Sequence, residues 1–188
     1  MYRDFGKRLI DVLASAGGIL LLSPVLILLA LGARISSPGP AIFKQARTGR
    51  DGKEFRFYKF RSMPIDTGDV SSDQLGAIEI RRFGKFIRRT NLDELPQLFN
   101  VLRGDMSVVG PRPPLPSQEE LITLRRENGA LTCRPGLTGL AQVNAFDGMS
   151  VAEKAAFDGQ YANKITLLGD ITILLRTITY LLKPPPTY

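Results

Sequence analysis

The longest apolar run of the chain lies near its N-terminus, where no charged residue occurs from Val12 to Ala33. At about 1.5 Å per residue, a helix over this run could cross a hydrocarbon core roughly 30 Å thick. The pair Ser23-Pro24 lies in the middle of the run, and proline bends or breaks a helix because it lacks the backbone N–H. We therefore predict a re-entrant membrane helix over residues 1–35, broken at Ser23-Pro24.

The charges that flank the apolar run also favour re-entry. Basic residues occur before the run and after it, at Arg3, Lys7 and Arg8 and at Arg34, Lys44, Arg47 and Arg50. A spanning helix normally has its positive excess on one side only. A single transmembrane helix and a cleaved signal peptide stay open as alternatives. The signal peptide is the weaker one, because Asp11 interrupts its approach and no small-residue cleavage site follows.

Alternating polar and apolar positions predict a β-hairpin after a Pro- and Gly-rich linker. Two strand-like runs, residues 41–45 and 54–60, flank the turn-forming residues 48–52. Lys59 lies on the second strand and Arg61 lies just beyond it.

The remaining chain has mainly helical periodicity. Apolar residues at helical spacing predict five helices, over residues 78–89, 92–102, 118–127, 151–162 and 165–182. Ser150 and Glu153 form a capping box before the fourth helix. The proline-rich residues 111–114 must be extended, and 134–139 form a turn-rich loop. The predicted fold class is α+β and mostly helical, with amphipathic interfacial helices around a compact catalytic domain, residues 36–188.

The apolar face predicted for the second of these helices is well defined. It consists of Leu92, Leu95, Leu98, Phe99 and Leu102. The last helix is very apolar but includes Asp170 and Arg176. Its sequence fits either the core or a membrane interface.

Composition narrows the chemistry that 188 residues can carry. The net charge of +7 indicates anionic partners, such as lipid head groups, phosphorylated ligands or nucleic acid. The chain has no histidine and a single cysteine, Cys133, which excludes an intrachain disulfide and a thiolate metal cluster. We interpret Cys133 as a core residue. A metal ion, if one binds, would be a hard cation such as magnesium held by oxygen.

Two adjacent carboxylates, Asp93 and Glu94, follow a strongly basic segment. One interpretation is structural, because acidic residues cap helix N-termini and complement the helix dipole. Thr90 with Asp93, or Asn91 with Glu94, would make such a cap. The other interpretation is catalytic: an aspartate near Arg88, Arg89 and Arg112 stays ionised, as a nucleophile or magnesium ligand must.

The basic residues of the preceding helix also have two interpretations. Arg81, Lys85 and Arg88 recur at helical spacing, with Arg82 and Arg89 beside them. They form either a solvated or lipid-facing stripe or a phosphate-binding surface.

Four motifs together resemble one family. They are Tyr58-Lys59-Phe60-Arg61-Ser62-Met63, Leu92-Asp93-Glu94-Leu95-Pro96-Gln97-Leu98, the run from Gly104 to Pro113, and the run from Arg134 to Asn144. In this order and spacing they resemble the bacterial sugar transferases, which are small monotopic phosphoglycosyl transferases. The resemblance covers the chain from the membrane segment to about Tyr180.

The resemblance implies a function. Members transfer a sugar-1-phosphate from a UDP-sugar to polyprenyl (undecaprenyl) phosphate and release UMP, the first membrane step of bacterial glycoconjugate assembly. It implies a requirement for Mg²⁺, contact with membrane lipids, no nucleic acid partner, and a catalytic domain on the cytoplasmic face of the bacterial inner membrane. It also implies a re-entrant helix broken at a Ser-Pro pair.

The resemblance also assigns site residues. Asp93 is the nucleophile that forms a covalent phosphosugar intermediate, and it is the expected metal ligand, while Glu94 assists. Pro111, Arg112 and Pro113 lie near the nucleotide, and Lys59, Arg61 and Arg88 are expected to bind substrate phosphate.

The chain departs from the family pattern at one place. Many members continue Asn-Gly-Arg where this chain has Asn144-Ala145-Phe146-Asp147, so the arginine of that pattern has no counterpart at this place. The region from Lys44 to Asp69 most resembles members that handle N-acetylated 6-deoxy amino sugars. Two other functions compete: a non-enzymatic, membrane-anchored basic scaffold and a nucleic-acid-binding protein. Neither explains the four motifs.

Overall fold

A computed structural model describes residues 2–64, 80–144 and 148–181, without the side chain of Asp4. The first element after a π-helical turn at Tyr2–Gly6 is helix α1, Lys7–Ser36. Among the described helices it is the one that is long and apolar enough to cross a membrane, with a mean hydropathy of 2.4 over 18 residues. Only 11% of that stretch is buried, so its apolar surface is largely uncovered.

Helix α1 continues without interruption through Ser23-Pro24. The predicted break is therefore not confirmed. The carbonyl of Leu20 would normally accept from the N–H of residue 24, which proline lacks. The hydroxyl of Ser23 donates to that carbonyl at 2.8 Å. A side chain thus satisfies the acceptor that Pro24 leaves free.

Both ends of α1 contact the rest of the molecule. Near its start, buried Asp11 accepts hydrogen bonds from the Ser107 hydroxyl at 3.0 Å and from the Val108 N–H at 2.9 Å. Near its end, Leu29 packs in a core cluster with Phe60. Helix α1 is therefore attached to the domain near both of its ends.

The predicted hairpin is confirmed. Strands β1 (Ile42–Thr48) and β2 (Glu54–Phe60) pair antiparallel, with Ile42 opposite Phe60 and Thr48 opposite Glu54. The turn contains Asp51 at a φ of 57° and Gly52 at a φ of 80°, conformations that suit Asp and Gly.

The next predicted helix begins later than expected. Helix α2 is Arg82–Arg89, and Arg81 before it has extended backbone. Residues 65–79, including the predicted helical positions 78 and 79, lie outside the described residues.

The helix predicted over residues 92–102 is two elements. A single 3₁₀ turn, Leu92–Glu94, precedes helix α3, Gln97–Arg103. Pro96 separates them because it has no N–H to donate to Leu92.

The apolar face predicted over residues 92–102 is only partly buried: Leu92 and Leu95 pack on a core cluster, but two of its members lie at the surface. Phe99 and Leu102 are 43% and 37% exposed, whereas Gln97, Asn100 and Val101 are buried. Periodicity identifies an apolar side of a helix but not its neighbour. Here the polar side faces the protein interior.

A short parallel sheet has its second strand within residues 134–139, where a loop was predicted. Strand β3 (Ser107–Val109) pairs in parallel with β4 (Gly136–Thr138). A Cβ at Gly136 would lie 2.1 Å from the backbone N of Gly110. Glycine is therefore required for the close approach of the two strands.

Four further helices complete the part of the chain that the structure describes. They are α4 (Glu119–Glu127), α5 (Leu140–Asn144), α6 (Val151–Asn163) and α7 (Leu167–Leu181). The capping box of Ser150 and Glu153 is confirmed at the start of α6. Cys133 is buried and free, as expected of a core residue.

A buried carboxylate joins the two most apolar helices. Asp170 of α7 accepts from the Tyr2 hydroxyl and from Lys7 Nζ, each at 2.6 Å, and from the Tyr161 hydroxyl at 2.9 Å. These bonds tie the start of α1 to the start of α7.

Large apolar side chains are exposed on several of these helices. They are Leu9, Ile10, Leu13, Leu20, Leu21, Val25, Ile27, Leu28, Leu31 and Ile35 on α1, Phe86 on α2, Phe99 and Leu102 on α3, and Leu167, Leu168, Ile171, Leu174, Leu175, Ile178, Tyr180 and Leu181 on α7. Soluble proteins expose large apolar side chains mostly singly, whereas here they are grouped on two long helices and two short ones.

Candidate functional site

The two adjacent carboxylates lie on the 3₁₀ turn between α2 and α3. Asn91, immediately before the turn, has a φ of 53°, a conformation that is rare for residues with a side chain and occurs often near functional sites. The turn has no side-chain cap, and the Thr90 hydroxyl instead donates back to the Phe86 carbonyl at 2.8 Å. The capping interpretation of Asp93 and Glu94 is therefore wrong.

Glu94 is held by two cations from different parts of the chain. Its Oε1 accepts from Lys59 Nζ of β2 at 2.6 Å and from Arg112 Nη2 at 2.9 Å. Burial raises the pKa of Glu94, but the charges of Arg112 and Lys59 outweigh burial and hold that pKa below its usual range. Glu94 is thus an ionised link between the hairpin and the Pro-Arg-Pro loop.

Asp93 is buried, but its carboxylate is not held by a close partner among the described residues. It is 6% exposed, its nearest ion-pair partner is Lys59 at 3.9 Å, and its carboxylate accepts no hydrogen bond from the described residues. Burial raises the pKa of Asp93 to about 6, and the charge of Glu94 adds to this, although Lys59, Arg88 and Arg112 oppose it. The group remains mostly ionised at pH 7 and has free lone pairs, as a nucleophile requires.

The structure brings most of the expected site residues together. Lys59 and Arg112 contact Glu94, and Arg88 is close enough to Asp93 to stabilise its charge. Arg89 is not among the groups that act on Asp93, contrary to the sequence-based expectation.

The prolines of the Pro-Arg-Pro loop act through their backbone. The Pro113 carbonyl accepts from Arg47 Nη1 at 3.1 Å, and the Pro111 carbonyl accepts from the Gly136 N–H at 2.9 Å. Pro111 and Pro113 are buried while Arg112 between them is exposed. The loop therefore presents Arg112 to the site from a fixed backbone.

A buried ion pair behind this loop was missed from the sequence. Arg125 of α4 donates through Nη1 to the Arg112 carbonyl at 2.8 Å, and through Nε and Nη2 to Asp158 at 2.9 and 2.6 Å. The spacing of four residues between Leu121 and Arg125 on an amphipathic helix was a signal, since it places an arginine on the buried face.

Asn100 of α3 was also missed. This fully buried amide accepts from the Tyr58 N–H at 3.1 Å and donates to the Arg56 carbonyl at 2.7 Å. It fixes the strand that carries Lys59 against the helix that follows Asp93. A polar residue on the apparently polar face of α3 gave no signal of burial.

The side chain of Arg61, unlike that of Lys59, does not contact the two carboxylates. Its guanidinium donates to the Ser37 carbonyl at 2.5 Å, just after the end of α1, and none of its described bonds reaches Asp93 or Glu94. Arg61 therefore lies beside the carboxylate cluster and not within it.

The donor set fits a magnesium ion held jointly with substrate. No group of three or more His, Cys, Asp or Glu side chains that could hold a metal occurs among the described residues. Mg²⁺ typically binds one or two carboxylates and completes its shell with substrate phosphates and water. Asp93, with an uncommitted carboxylate, fits that pattern, whereas Glu94 Oε1 is occupied by Lys59 and Arg112.

Concavity alone would not locate this site. A cavity of about 190 Å³ lies elsewhere, between Lys7, Asp11 and Arg134, and its lining includes neither Asp93 nor Glu94. The convergence of charged groups on a strained turn identifies the site.

Comparison with known proteins adds a family match. A family model described as bacterial sugar transferase matches residues 2–184. A UDP-glucose:undecaprenyl-phosphate glucose-1-phosphate transferase of Caulobacter vibrioides is 41% identical over 98% of this chain and 73% of its own length. The exopolysaccharide production protein PSS of Rhizobium leguminosarum is 39% identical over 92% of both chains.

Longer relatives match as well. The galactosyl transferase CpsE of Streptococcus agalactiae is 40% identical over 94% of this chain, which spans only 42% of that protein. Two of these three names refer to a sugar, glucose in the Caulobacter protein and galactose in the Streptococcus protein. The resemblance to members that handle an N-acetylated 6-deoxy amino sugar stays a prediction. Residues 145–147, where the chain differs from the family pattern, lie outside the described residues.

Proposed function

This chain belongs to the bacterial sugar transferase family, and we propose that it transfers a sugar-1-phosphate from a UDP-sugar to undecaprenyl phosphate, with release of UMP. Several relatives are named as sugar-phosphate transferases of undecaprenyl phosphate, in agreement with the expectation of a phosphoglycosyl transferase. The observation that carries the proposal is the buried, uncommitted carboxylate of Asp93 beside the cations that hold Glu94.

The first step uses Asp93 as nucleophile. A carboxylate oxygen of Asp93 forms a bond to the β-phosphorus of the UDP-sugar, and the bond from that phosphorus to the bridging oxygen breaks. UMP leaves with the bridging oxygen, and the sugar-1-phosphate remains on Asp93 as an acyl phosphate. Lys59, Arg88 and Arg112 would stabilise the charge that develops on the phosphoryl oxygens.

The second step transfers the group to the lipid. A phosphate oxygen of undecaprenyl phosphate attacks the same phosphorus, the bond to Asp93 breaks, and undecaprenyl-diphospho-sugar leaves. Each displacement is in line, so the carboxylate must stay fixed while ligands exchange. Burial on a short turn between two helices supplies that rigidity.

A magnesium ion, when bound at Asp93 together with substrate phosphates, would neutralise phosphoryl charge and stabilise the leaving UMP. Glu94 would contribute through its fixed negative charge, which positions Lys59 and Arg112.

We also propose that α1, bent at Pro24 without losing its helical hydrogen bonding on either side, enters the membrane from one side and returns to it. A helix that crossed a bilayer away from its domain would contact that domain at one end only. In α1 both ends are held, through Asp11 and through Leu29. The catalytic domain would then lie on the cytoplasmic face of the bacterial inner membrane, where UDP-sugars and basic flanks are expected.

The test of the reaction is UMP release from UDP-sugars by detergent-solubilised protein with Mg²⁺ and undecaprenyl phosphate. Asp93→Asn should abolish release and should also abolish the mass increase of one sugar phosphate that UDP-sugar alone produces in wild-type protein. Asp51→Asn is the matched control, since Asp51 is exposed and asparagine tolerates its positive φ. Full activity of Asp93→Asn would exclude the mechanism.

The test of topology is cysteine labelling in a Cys133→Ala background. Arg3→Cys and Ser37→Cys should both be labelled from the cytoplasmic side only. Labelling from opposite sides would establish a spanning helix. A non-enzymatic scaffold predicts no UMP release from any UDP-sugar, so the first assay also separates that alternative.

A further inference from the structure

Three arginines converge on the last turn of α1. Arg61 Nη2 donates to the Ser37 carbonyl at 2.5 Å, Arg81 Nη1 donates to the Ser36 carbonyl, and Arg34 lies on the same turn. We call Arg34, Arg61 and Arg81 the arginine trio. Its members come from three segments that are distant in sequence.

The central member of the trio has only part of its guanidinium paired. Arg61 is 6% exposed, and its Nε and Nη1 are buried with no hydrogen-bond partner among the described residues. Buried arginine donors are almost always paired, and leaving them unpaired costs free energy. The burial of Arg61 and the like charge of Arg34 both lower the pKa of Arg61.

No carboxylate neutralises the trio within the described residues. Neither Arg34, Arg61 nor Arg81 takes part in an ion pair there, in contrast to Lys59 and Arg112, which share Glu94. A purely structural interpretation is that Arg61 and Arg81 cap the carbonyls at the end of α1. One bond from each satisfies that role and leaves the remaining donors of Arg61 unexplained.

The trio lies between exposed apolar residues of α1 on one side and the residues around Asp93 on the other. Leu31 and Ile35, on the same end of α1, are 53% and 85% exposed. On the other side, Lys59 is two residues from Arg61, roughly 7 Å along an extended chain. Leu92 and Leu95 of the Asp93 turn pack on the same core cluster as Leu29 of α1.

We propose that the arginine trio binds the phosphate of the lipid acceptor, so that its hydrocarbon chain lies along the exposed end of α1 and its phosphate lies beside Asp93. This inference rests on the proposed function. A phosphate monoester carries about −1.5 to −2 charge near pH 7, whereas the phosphodiester of a bulk phospholipid carries a single charge. Three unneutralised guanidinium groups therefore match the monoester better.

The test separates the two substrates kinetically. Arg34→Gln removes an exposed charge that makes no described hydrogen bond, so the fold should persist, and Arg61→Lys keeps a charge but loses the guanidinium donors. Both should raise the KM for undecaprenyl phosphate about tenfold or more while changing the KM for UDP-sugar no more than twofold. Arg126→Gln, an exposed arginine of α4, is the matched control and should change neither.

Two outcomes would overturn the inference. Equal increases of both KM values would place the trio at the UDP-sugar, and no increase in either would leave it a helix cap. If wild-type protein released no UMP at all, the proposed function would fail instead. Direct binding of undecaprenyl phosphate in detergent micelles would then still test the trio, through the affinity of Arg34→Gln relative to wild type.

A competition experiment distinguishes the source of the phosphate. Phosphatidylglycerol in tenfold molar excess should not displace undecaprenyl phosphate from wild-type protein. Displacement at that excess would show that the trio binds membrane phospholipid in general, which would overturn its assignment to the acceptor.

Discussion

Asp93 and Asp158 are both buried aspartates, 6% and 1% exposed, yet their surroundings differ. Asp158 receives two hydrogen bonds from Arg125, at 2.9 and 2.6 Å. Asp93 receives none from the described residues, and its nearest cation is 3.9 Å away. Burial alone therefore does not indicate function. An aspartate paired at close range holds the fold, while one surrounded by cations at longer range remains available to react.

The largest expected effect is on activity when Asp93 is made unreactive. Asp93→Asn keeps the size of the side chain but removes the nucleophilic oxygen, so kcat for UMP release should fall by about 10³-fold or more. Because Asp93 holds no described hydrogen bond, the free energy of unfolding should not fall. A variant that loses activity only through unfolding would break the contrast with Asp158.

The second effect is on stability when the Asp158 pair is broken. Arg125→Met leaves Asp158 buried and unpaired and should cost about 3–5 kcal/mol of unfolding free energy. Chemical denaturation in detergent measures it. The double variant Arg125→Met with Asp158→Leu should regain most of that loss, because the uncompensated charge is gone.

The double variant also tests the role of this pair in the site. It still lacks the hydrogen bond from Arg125 to the Arg112 carbonyl. Stable protein with reduced kcat would show that the pair positions Arg112. Stable protein with wild-type kcat would limit the pair to the fold.

The third prediction concerns pH. The pKa of Asp93 is about 6 in the folded protein, raised by burial from 3.8, so the folded state binds more protons than the unfolded chain between pH 4 and 6. Stability from this group is therefore present at low pH and is lost as pH rises through that range, by about 3 kcal/mol. Without Mg²⁺, the difference in unfolding free energy between Asp93→Asn and wild type should grow from pH 4 to pH 7.

Activity should depend on the same titration of Asp93 but in the opposite direction: it should rise with pH where stability falls. UMP release by wild-type protein should fall below pH 6, because protonated Asp93 is a poor nucleophile. A stability difference that is independent of pH, together with a rate that is constant from pH 5 to 8, would contradict the unpaired state of Asp93.

The smallest effect is expected at a third carboxylate, which performs the capping role that Asp93 and Glu94 do not. Glu153 accepts from the Ser150 N–H at 2.8 Å and is exposed. Hydrogen bonds to Ser150 hold the pKa of Glu153 below its usual value. Glu153→Gln should leave kcat unchanged and shift the thermal midpoint only slightly. A loss of activity there would show that α6 is coupled to the site.

Local features of the fold were predictable because short-range chemistry determines them. The hairpin follows from Thr48 to Gly52 between two alternating runs, and the start of α6 follows from Ser150 and Glu153. The pairing of β3 with β4 was not predictable, since each strand has three residues and their contact depends on the approach of Gly136 to Gly110.

The exposure of Phe99 and Leu102 on α3 was not predictable, for a different reason. Lipid and protein core are both apolar, so the stripe that includes Phe99 and Leu102 is compatible with either neighbour. For the same reason the burial of Asn100 was not predictable: a polar residue on this helix is expected to face solvent, yet Asn100 is fully buried.

The candidate site was predictable in part. The resemblance identified Asp93, Glu94, Lys59 and Arg112, and the structure brings these four together. Their support by Arg125 and Asp158 depends on tertiary packing between α4 and α6. Nothing in the local sequence indicates that pairing beyond the position of Arg125 on its helix.

The attachment of α1 at both ends bears on how the protein would respond to different membranes. A spanning helix must match the full hydrocarbon thickness, and mismatch is relieved by tilting or by deforming the bilayer. In the re-entrant arrangement proposed above, a helix whose start and end are both fixed to one domain, through Asp11 and through Leu29, would contact a single leaflet. The distance of Asp93 from the membrane surface would then be set by the protein itself, independently of the thickness of the opposite leaflet.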